Sequence, residues 1–330
     1  MKAIVQERYG APDVLTLRDV PVPQPGADEV RVRVHAASVN AYDWHVLRGD
    51  PRVMRLISPT CGLRGPKRPI RGRDFAGRVT AVGSAVTLLR VGDEVYGDLG
   101  EADGAFAEYV CAPAELVDIK PAGLTFEQAA AVPLAGITAL MGLRDVGQVR
   151  PGQQVLINGA SGGVGTFAVQ LAKAFGAQVT GVCSTRNAEL VRSLGADDIV
   201  DYTREDFAAN GKRYDIVFDL VANRSLGALK NALRPEGVLV ISGGGVFTGG
   251  SFLGPIALSI KGQLAARFGR VRARQLMEKP GRDKLATLRE LIESGSVRPV
   301  IDRTYPLDRA PDAIRYLESE HARAKVVLTV

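Results

Sequence analysis

The chain has little of what would tie it to a membrane, a disulfide framework or a metal knuckle. Only three of its 330 residues are cysteine, Cys61, Cys111 and Cys183. They are odd in number and far apart, which excludes a disulfide-stapled scaffold and the paired spacing of a zinc knuckle. Reduced thiols in the cytoplasm are the expectation. The longest apolar stretch, around residues 252–260, is too short to span a bilayer and holds Pro255. The opening run Met1-Lys-Ala-Ile-Val-Gln-Glu-Arg8 lacks the apolar core of a secretory leader. A recognised nucleic-acid module is missing, as is a basic stripe interleaved with aromatics. The net charge of +6 therefore reads as an arginine-rich, solvated face.

The 46% of hydrophobic residues supplies a sizeable core, and the length accommodates two domains. The chain is organised around residues 154–176. Residues 154–158 are apolar and β-favouring, a buried parallel strand. Residues 159–165 form a glycine-rich turn. Val164, Ala168, Leu171, Ala172 and Phe175 then recur at helical spacing, and Gly176 stands where a left-handed cap belongs. Strand, glycine turn and helix are the setting of a dinucleotide fingerprint. Ser161, Gly162, Gly163 and Val164 are the expected pyrophosphate contacts, because free N–H groups and the helix dipole favour anions there. The motif is imperfect, with Ala160 in the place of the first glycine. The pattern of the next 80 or so residues strengthens it. Strands at 178–182, 197–201, 214–220 and 237–242 alternate with helices at 187–194 and 226–233, which predicts a Rossmann doubly wound parallel sheet.

Residues 1–122 read instead as β-rich, with period-2 runs such as 29–38, where Val30, Val32 and Val34 share a face. Residues 51–73 carry seven Lys/Arg and no acid, a solvated loop or an entrance for an anionic substrate. Thr125 and Gln128 form a capping box that opens the connection onward. The 261–274 segment is basic and has no clear place. A helix at 283–294, a strand at 300–304, a helix at 309–317 and a strand at 325–330 have the elements to return to the first domain. The expected division is therefore 1–122, completed by 266–330, and 123–265 for the nucleotide domain.

At the end of the second parallel strand, an NAD-selective site places a carboxylate on the ribose. Here the sequence is Cys183-Ser184-Thr185-Arg186, with no acid before Glu189. The Ser184 hydroxyl and the Arg186 guanidinium suit a 2′-phosphate, hence NADPH.

Several motifs together resemble the medium-chain dehydrogenase/reductase superfamily, in its zinc-free quinone oxidoreductase branch. They are Ser38-Val-Asn40-Ala-Tyr42-Asp43, Gly72-Arg-Asp-Phe-Ala-Gly77, Val91-Gly-Asp-Glu-Val95, Asn158-Gly-Ala-Ser-Gly-Gly-Val-Gly165, Leu194-Gly-Ala-Asp-Asp-Ile-Val-Asp-Tyr202 and Ser319-Glu-His-Ala-Arg-Ala-Lys-Val-Val327. The resemblance covers essentially the whole chain, which is especially similar to the reticulon-interacting mitochondrial reductases and their bacterial relatives. It implies a GroES-like β-rich catalytic domain, split in sequence by the Rossmann domain, with NADPH as reductant and often a homodimer. It also implies cofactor contacts at Tyr202, Asn223, Gly244, Phe247, His321, Ala322 and Arg323. In the zinc alcohol dehydrogenases of the superfamily a Cys, a His and a Cys or Asp hold the catalytic metal. The matching positions here are Asn40, Arg73 and Leu134, and neither an arginine nor a leucine ligates zinc. No metal site is expected.

Without a Lewis acid, a conjugated acceptor is the substrate that needs least help. Hydride adds to a quinone or to the β-carbon of an enone or enal, and charge spreads onto an oxygen that needs only a donor or cation nearby. Asn40, Tyr42 and His45 are the candidates. Asn40 would orient the nicotinamide or substrate, and His45 or Tyr42 would donate to the anion. His45 falls where quinone reductases often have a tyrosine. Two alternatives stay open: an enoyl-thioester reductase of lipid or polyketide synthesis, and a non-catalytic NADPH- and RNA-binding protein.

Overall fold

Val155, Leu156 and Ile157 are fully buried, as a strand covered on both faces requires. In the computed structural model, which describes residues 1–242, 256–267, 272–319 and 322–330, this strand lies within a six-stranded parallel sheet. The order across it is Asp198–Asp201, Gln178–Cys183, Gln154–Asn158, Tyr214–Asp219, Leu233–Ile241, Arg272–Gln275. Build-out reverses between Gln154–Asn158 and Tyr214–Asp219, so a crevice opens at the carboxyl ends of these two strands. Helix Gly163–Ala174 starts there. Gly159 turns the chain at φ 91°, and a Cβ on Gly165 would lie 2.1 Å from the Gly159 carbonyl oxygen. Neither position admits a side chain without displacing the turn.

The expected Rossmann sheet is present, but it does not stop at residue 265. Strand Arg272–Gln275 pairs in parallel with Leu233–Ile241, and helix Ile256–Arg267 precedes it. The basic segment that had no clear place is thus the last unit of the sheet. Among the described residues its strand, Arg-Ala-Arg-Gln, pairs on one side only. An edge strand of that kind needs no apolar alternation, which is why periodicity does not reveal it.

The second layer is a seven-stranded sheet ordered Ile301–Pro306, Lys325–Thr329, Glu29–Val39, Asp74–Val82, Glu94–Asp98, Val117–Ile119, with Tyr109–Pro113 also pairing on Glu29–Val39. Val30, Val32 and Val34 are buried on one face of the long strand. The last strand, Lys325–Thr329, pairs antiparallel with Glu29–Val39, so the carboxyl end of the chain completes the amino-terminal domain. Apolar packing joins the two layers: Ala36, Tyr96 and Val327 share one core with Ile137, Phe167 and Leu288. The Tyr96 hydroxyl adds a hydrogen bond of 2.7 Å to the Leu285 carbonyl.

The 51–73 segment has one helical turn, Met54–Ile57. Arg52, Arg64, Lys67 and Arg68 are exposed, as a solvated run should be. Arg71 and Arg73 are not: they are 1% and 6% exposed. Buried cations require partners, and here they meet Asp103 at 3.2 Å and Asp98 at 2.7 Å. No helix among the described residues is long and apolar enough to cross a membrane.

Candidate active site

A cleft of about 680 Å³ follows the crevice from the glycine turn to the amino-terminal domain. At the turn, Ser161, Gly162, Gly163 and Val164 line it. The Gly162 N–H bonds to the Gly159 carbonyl at 3.1 Å, and the Thr166 N–H bonds to the Gly162 carbonyl at 2.9 Å. Between them the N–H groups of Gly163, Val164 and Gly165 have no intrahelical acceptor, an arrangement that suits an anion. The chain's carboxyl end lies against this turn. The Ala324 N–H donates to the Ser161 carbonyl at 2.8 Å, and Ala322 and Ala324 line the cleft.

Ser184, Arg186, Tyr202 and Asn223 line the same cleft, so the structure gathers residues from three successive strand ends. Asn158 donates to Asp219 at 2.8 Å and to Asn223 at 3.0 Å. Asn187 donates to the Ser161 hydroxyl at 3.1 Å. Buried Asn187 Oδ1 and Asp219 Oδ2 have no hydrogen-bond partner among the described residues. Such orphans at a crevice mark a place where a polar ligand or water completes the bonding. Asp201, the carboxylate ending the neighbouring strand, is taken up by the Thr185 and Thr203 hydroxyls. Arg323 departs from expectation. Its N–H and guanidinium turn to Asp302, at 2.9 Å and 3.6 Å, and it is not among the cleft-lining residues. Gly244, Phe247 and His321 lie outside the described residues.

At the other end stand Asn40, Tyr42 and His45, all lining the cleft. Asn40 precedes helix Ala41–Arg48, where its N–H is capped by the Asp43 carboxylate at 2.7 Å. The Asn40 side chain is held at both ends. Its Nδ2 donates to Asp74 Oδ2 at 3.0 Å, and its Oδ1 accepts from the Lys325 ammonium. Asp74 also accepts from the Ser38 hydroxyl at 2.7 Å and the Leu134 N–H at 3.0 Å. Asn40, Asp74 and Lys325 are 6%, 0% and 2% exposed. This buried network fixes the Asn40 amide with its oxygen toward the cation. Tyr42 donates to Thr60 Oγ1 at 3.1 Å. Burial, reinforced by the Asp103 charge, pushes its phenol up, so it stays protonated. The His45 ring stacks on Trp44 at 3.7 Å, and its Nδ1 lies 2.8 Å from the Asp50 carbonyl oxygen.

The three positions that hold zinc in metal-dependent relatives are engaged otherwise. Asn40 belongs to the network just described. Arg73 forms a two-pronged pair with Asp98 at 2.8 and 2.7 Å, bonds to Glu278 at 2.6 Å, and lies 5.0 Å above the Tyr42 ring. Burial would lower the Arg73 pKa, but Asp98 and Glu278 outweigh it and raise it. Leu134 is apolar. Among the described residues no group of three His, Cys, Asp or Glu side chains could hold a metal ion.

Asp74, Asp98, Glu278 and Lys325 line the site or hold its side chains, and sequence reading did not single them out. Asp74 and Lys325 lie inside motifs quoted for the family resemblance, and a lysine opening an apolar strand was the available signal. Glu278 sits in a stretch with no periodic pattern.

A family model described as alcohol dehydrogenase GroES-like domain matches residues 26–122, and one described as zinc-binding dehydrogenase matches residues 194–328. The chain is 36% identical to a 2-methylene-furan-3-one reductase of Solanum lycopersicum, over 99% of this chain and 79% of that protein. It is 36% identical to a chloroplastic NADPH-dependent alkenal/one oxidoreductase of Arabidopsis thaliana, with the same coverage of 99% and 79%. The solved quinone oxidoreductase of Coxiella burnetii superposes with a TM-score of 0.85 at 32% identity, covering 100% of this chain and 99% of that one. With its split GroES-like domain, its Rossmann sheet and these relatives, the chain belongs to the quinone oxidoreductase-like members of the medium-chain dehydrogenase/reductase superfamily.

Proposed function

We propose that the chain is an NADPH-dependent reductase that delivers hydride, without zinc, to a quinone or to the conjugated C=C of an enone or enal. The observation that carries this reading is one continuous cleft. It runs from a glycine turn whose N–H groups lack an intrahelical acceptor to a site where Asn40, Arg73 and Leu134 replace metal ligands. NADPH supplies the hydride from its nicotinamide C4. The chain's residues fit it: the Gly163 and Val164 N–H groups for the pyrophosphate, and Ser184, Arg186 and Tyr202 for the 2′-phosphate. Asn223 and the orphaned oxygens of Asn187 and Asp219 line or adjoin the middle of the cleft. Asn40, held by Lys325 and Asp74, orients the reacting groups. A fixed amide of this kind acts by positioning.

Support for the acceptor class comes from Asn40, Arg73 and Leu134, of which the arginine and the leucine cannot ligate a metal, and from the relatives, whose names specify a furanone and alkenals or alkenones. A simple ketone would require stronger polarisation than these side chains provide. The reading includes a homodimer, to be checked by light scattering. The test of function is nucleotide consumption across quinones, enones, enals and enoyl thioesters, with NADPH and NADH in parallel. Turnover of quinones or enones with NADPH supports the reading. Turnover confined to enoyl thioesters would shift it to a thioester reductase. Tight, salt-dependent RNA binding without any turnover would replace it with a binding protein.

A further inference from the structure

Glu278 comes shortly after strand Arg272–Gln275 and lines the cleft with Asn40, Tyr42 and Arg73. Its side chain is 15% exposed. One oxygen, Oε2, accepts from Arg73 Nη2 at 2.6 Å. The other, Oε1, is shut off from solvent and has no hydrogen-bond partner among the described residues. A bare carboxylate oxygen in a dry site is costly, so the setting favours the neutral acid. The charged groups around it agree. Asp98 on strand Glu94–Asp98 and Asp74 on strand Asp74–Val82 oppose its charge, and Arg73 favours it. Burial first, then Asp98, push Glu278 up to about 7 against the pull of Arg73. Of the two acids that share Arg73, Asp98 receives two guanidinium bonds and the Gly100 N–H at 2.8 Å. Burial pushes Asp98 up as well, but these three bonds favour its charge over that of Glu278, which accepts one, so the proton the pair holds resides on Glu278.

The other candidates are poorer proton donors. The Tyr42 O–H is committed to Thr60. A carbonyl only accepts, so the His45 Nδ1 proton is committed to the Asp50 oxygen.

We propose that Glu278 is the general acid that completes the reduction: its carboxyl turns from the closed position, brings the Oε1 hydroxyl into the cleft, and gives that proton to the enolate or phenolate formed when hydride reaches the acceptor. This rests on the hydride-transfer reading above. The Oε1–H bond breaks, and an O–H or Cα–H bond forms on the product. The acceptor has then gained a hydride from the nucleotide and a proton from the protein. The Glu278 carboxylate left behind is stabilised by Arg73, a positioning residue, and water entering the cleft restores its proton.

The test is Glu278→Gln, which keeps the size and the acceptor for Arg73. NADPH affinity, read by fluorescence titration, should be unchanged. Turnover of an enone should fall by about a hundredfold or more, the usual contribution of a general acid. The decline of the parent's kcat as pH rises through neutrality should be absent from the variant. The parent-minus-variant infrared difference spectrum below neutrality should show a protonated-carboxyl band lost with Glu278, while the band of Asp43, which burial also pushes up to about 7, is kept by both. Glu278→Asp, an acid one methylene shorter, should restore the pH-dependent limb in part, and it stands in if the glutamine variant does not fold. Parental turnover with the same pH limb in Glu278→Gln, or a difference spectrum without a lost carboxyl band, would overturn the acid role and leave hydride transfer intact. A parent chain that turns over no acceptor would overturn both.

Discussion

Replacing Lys325 with methionine strips a cation from a site that is 2% exposed. The ammonium donates to Asn40 Oδ1 and stands 3.3 Å from Asp74 Oδ2. Asp74, fully buried, would keep three neutral donors: the Ser38 hydroxyl, the Asn40 amide and the Leu134 N–H. Removing one member of a buried ion pair costs about 3–5 kcal/mol. The three remaining bonds, each worth about 1 kcal/mol, hold the loss to the lower end, roughly 3 kcal/mol. At about 2–4 °C per kcal/mol for a chain of this class, Tm should drop by roughly 6–12 °C. Adding Asp74→Asn removes the stranded charge, so the double variant should recover about 1–2 kcal/mol relative to the sum of the single losses. Thermal and urea unfolding of the parent, both single variants and the double variant gives the coupling directly. The same variants should lower kcat on an enone, because the Asn40 amide is no longer oriented. Strictly additive losses, or a Lys325→Met chain that melts within about 2 °C of the parent, would refute the reasoning.

Arg186→Ala should weaken NADPH by about ten- to a hundredfold, the worth of a charge-assisted bond to phosphate, and leave NADH nearly unchanged. The ratio of KM values for the two nucleotides checks it, and equal losses would remove Arg186 from the 2′-phosphate site. Asp43 is buried, and burial, with Asp103 adding, pushes it up to about 7. The folded state therefore binds this proton more tightly than the unfolded chain does. Its contribution to stability is complete below about pH 4 and is lost as pH rises through about 7. Asp43→Asn still accepts the Asn40 N–H, so its urea midpoint should gain on the parent's across that window; parallel pH profiles would contradict this.

Periodicity and turn chemistry made the central strands, the glycine turn and the return of the last strand legible in the sequence, because buried strands and helix faces leave an apolar rhythm. Strand Arg272–Gln275 escaped because an edge carries no such rhythm. The cofactor end of the site was legible for a local reason: Ser161 to Val164 are contiguous, and Ser184 and Arg186 come directly after a strand. The substrate end was only half legible. Asn40 and Tyr42 come after a recognisable strand, but their partners are distant in the chain. Lys325 is 285 residues from Asn40, and Glu278 is 205 residues from Arg73. A sequence carries no local mark of such pairs. The basic run at 51–73 misled for the same reason: Arg71 and Arg73 look like surface charge until Asp103 and Asp98 are brought beside them.

The central claim is hydride delivery from NADPH to a conjugated acceptor by organic groups alone. Its most direct test uses chelator-dialysed protein, NADPH carrying deuterium at the transferable C4 position, and an enone, with the product read by NMR. The account predicts the label on the β-carbon, at a rate that added zinc does not change. A product without label, or a reaction that stops on chelation and resumes with zinc, would contradict it.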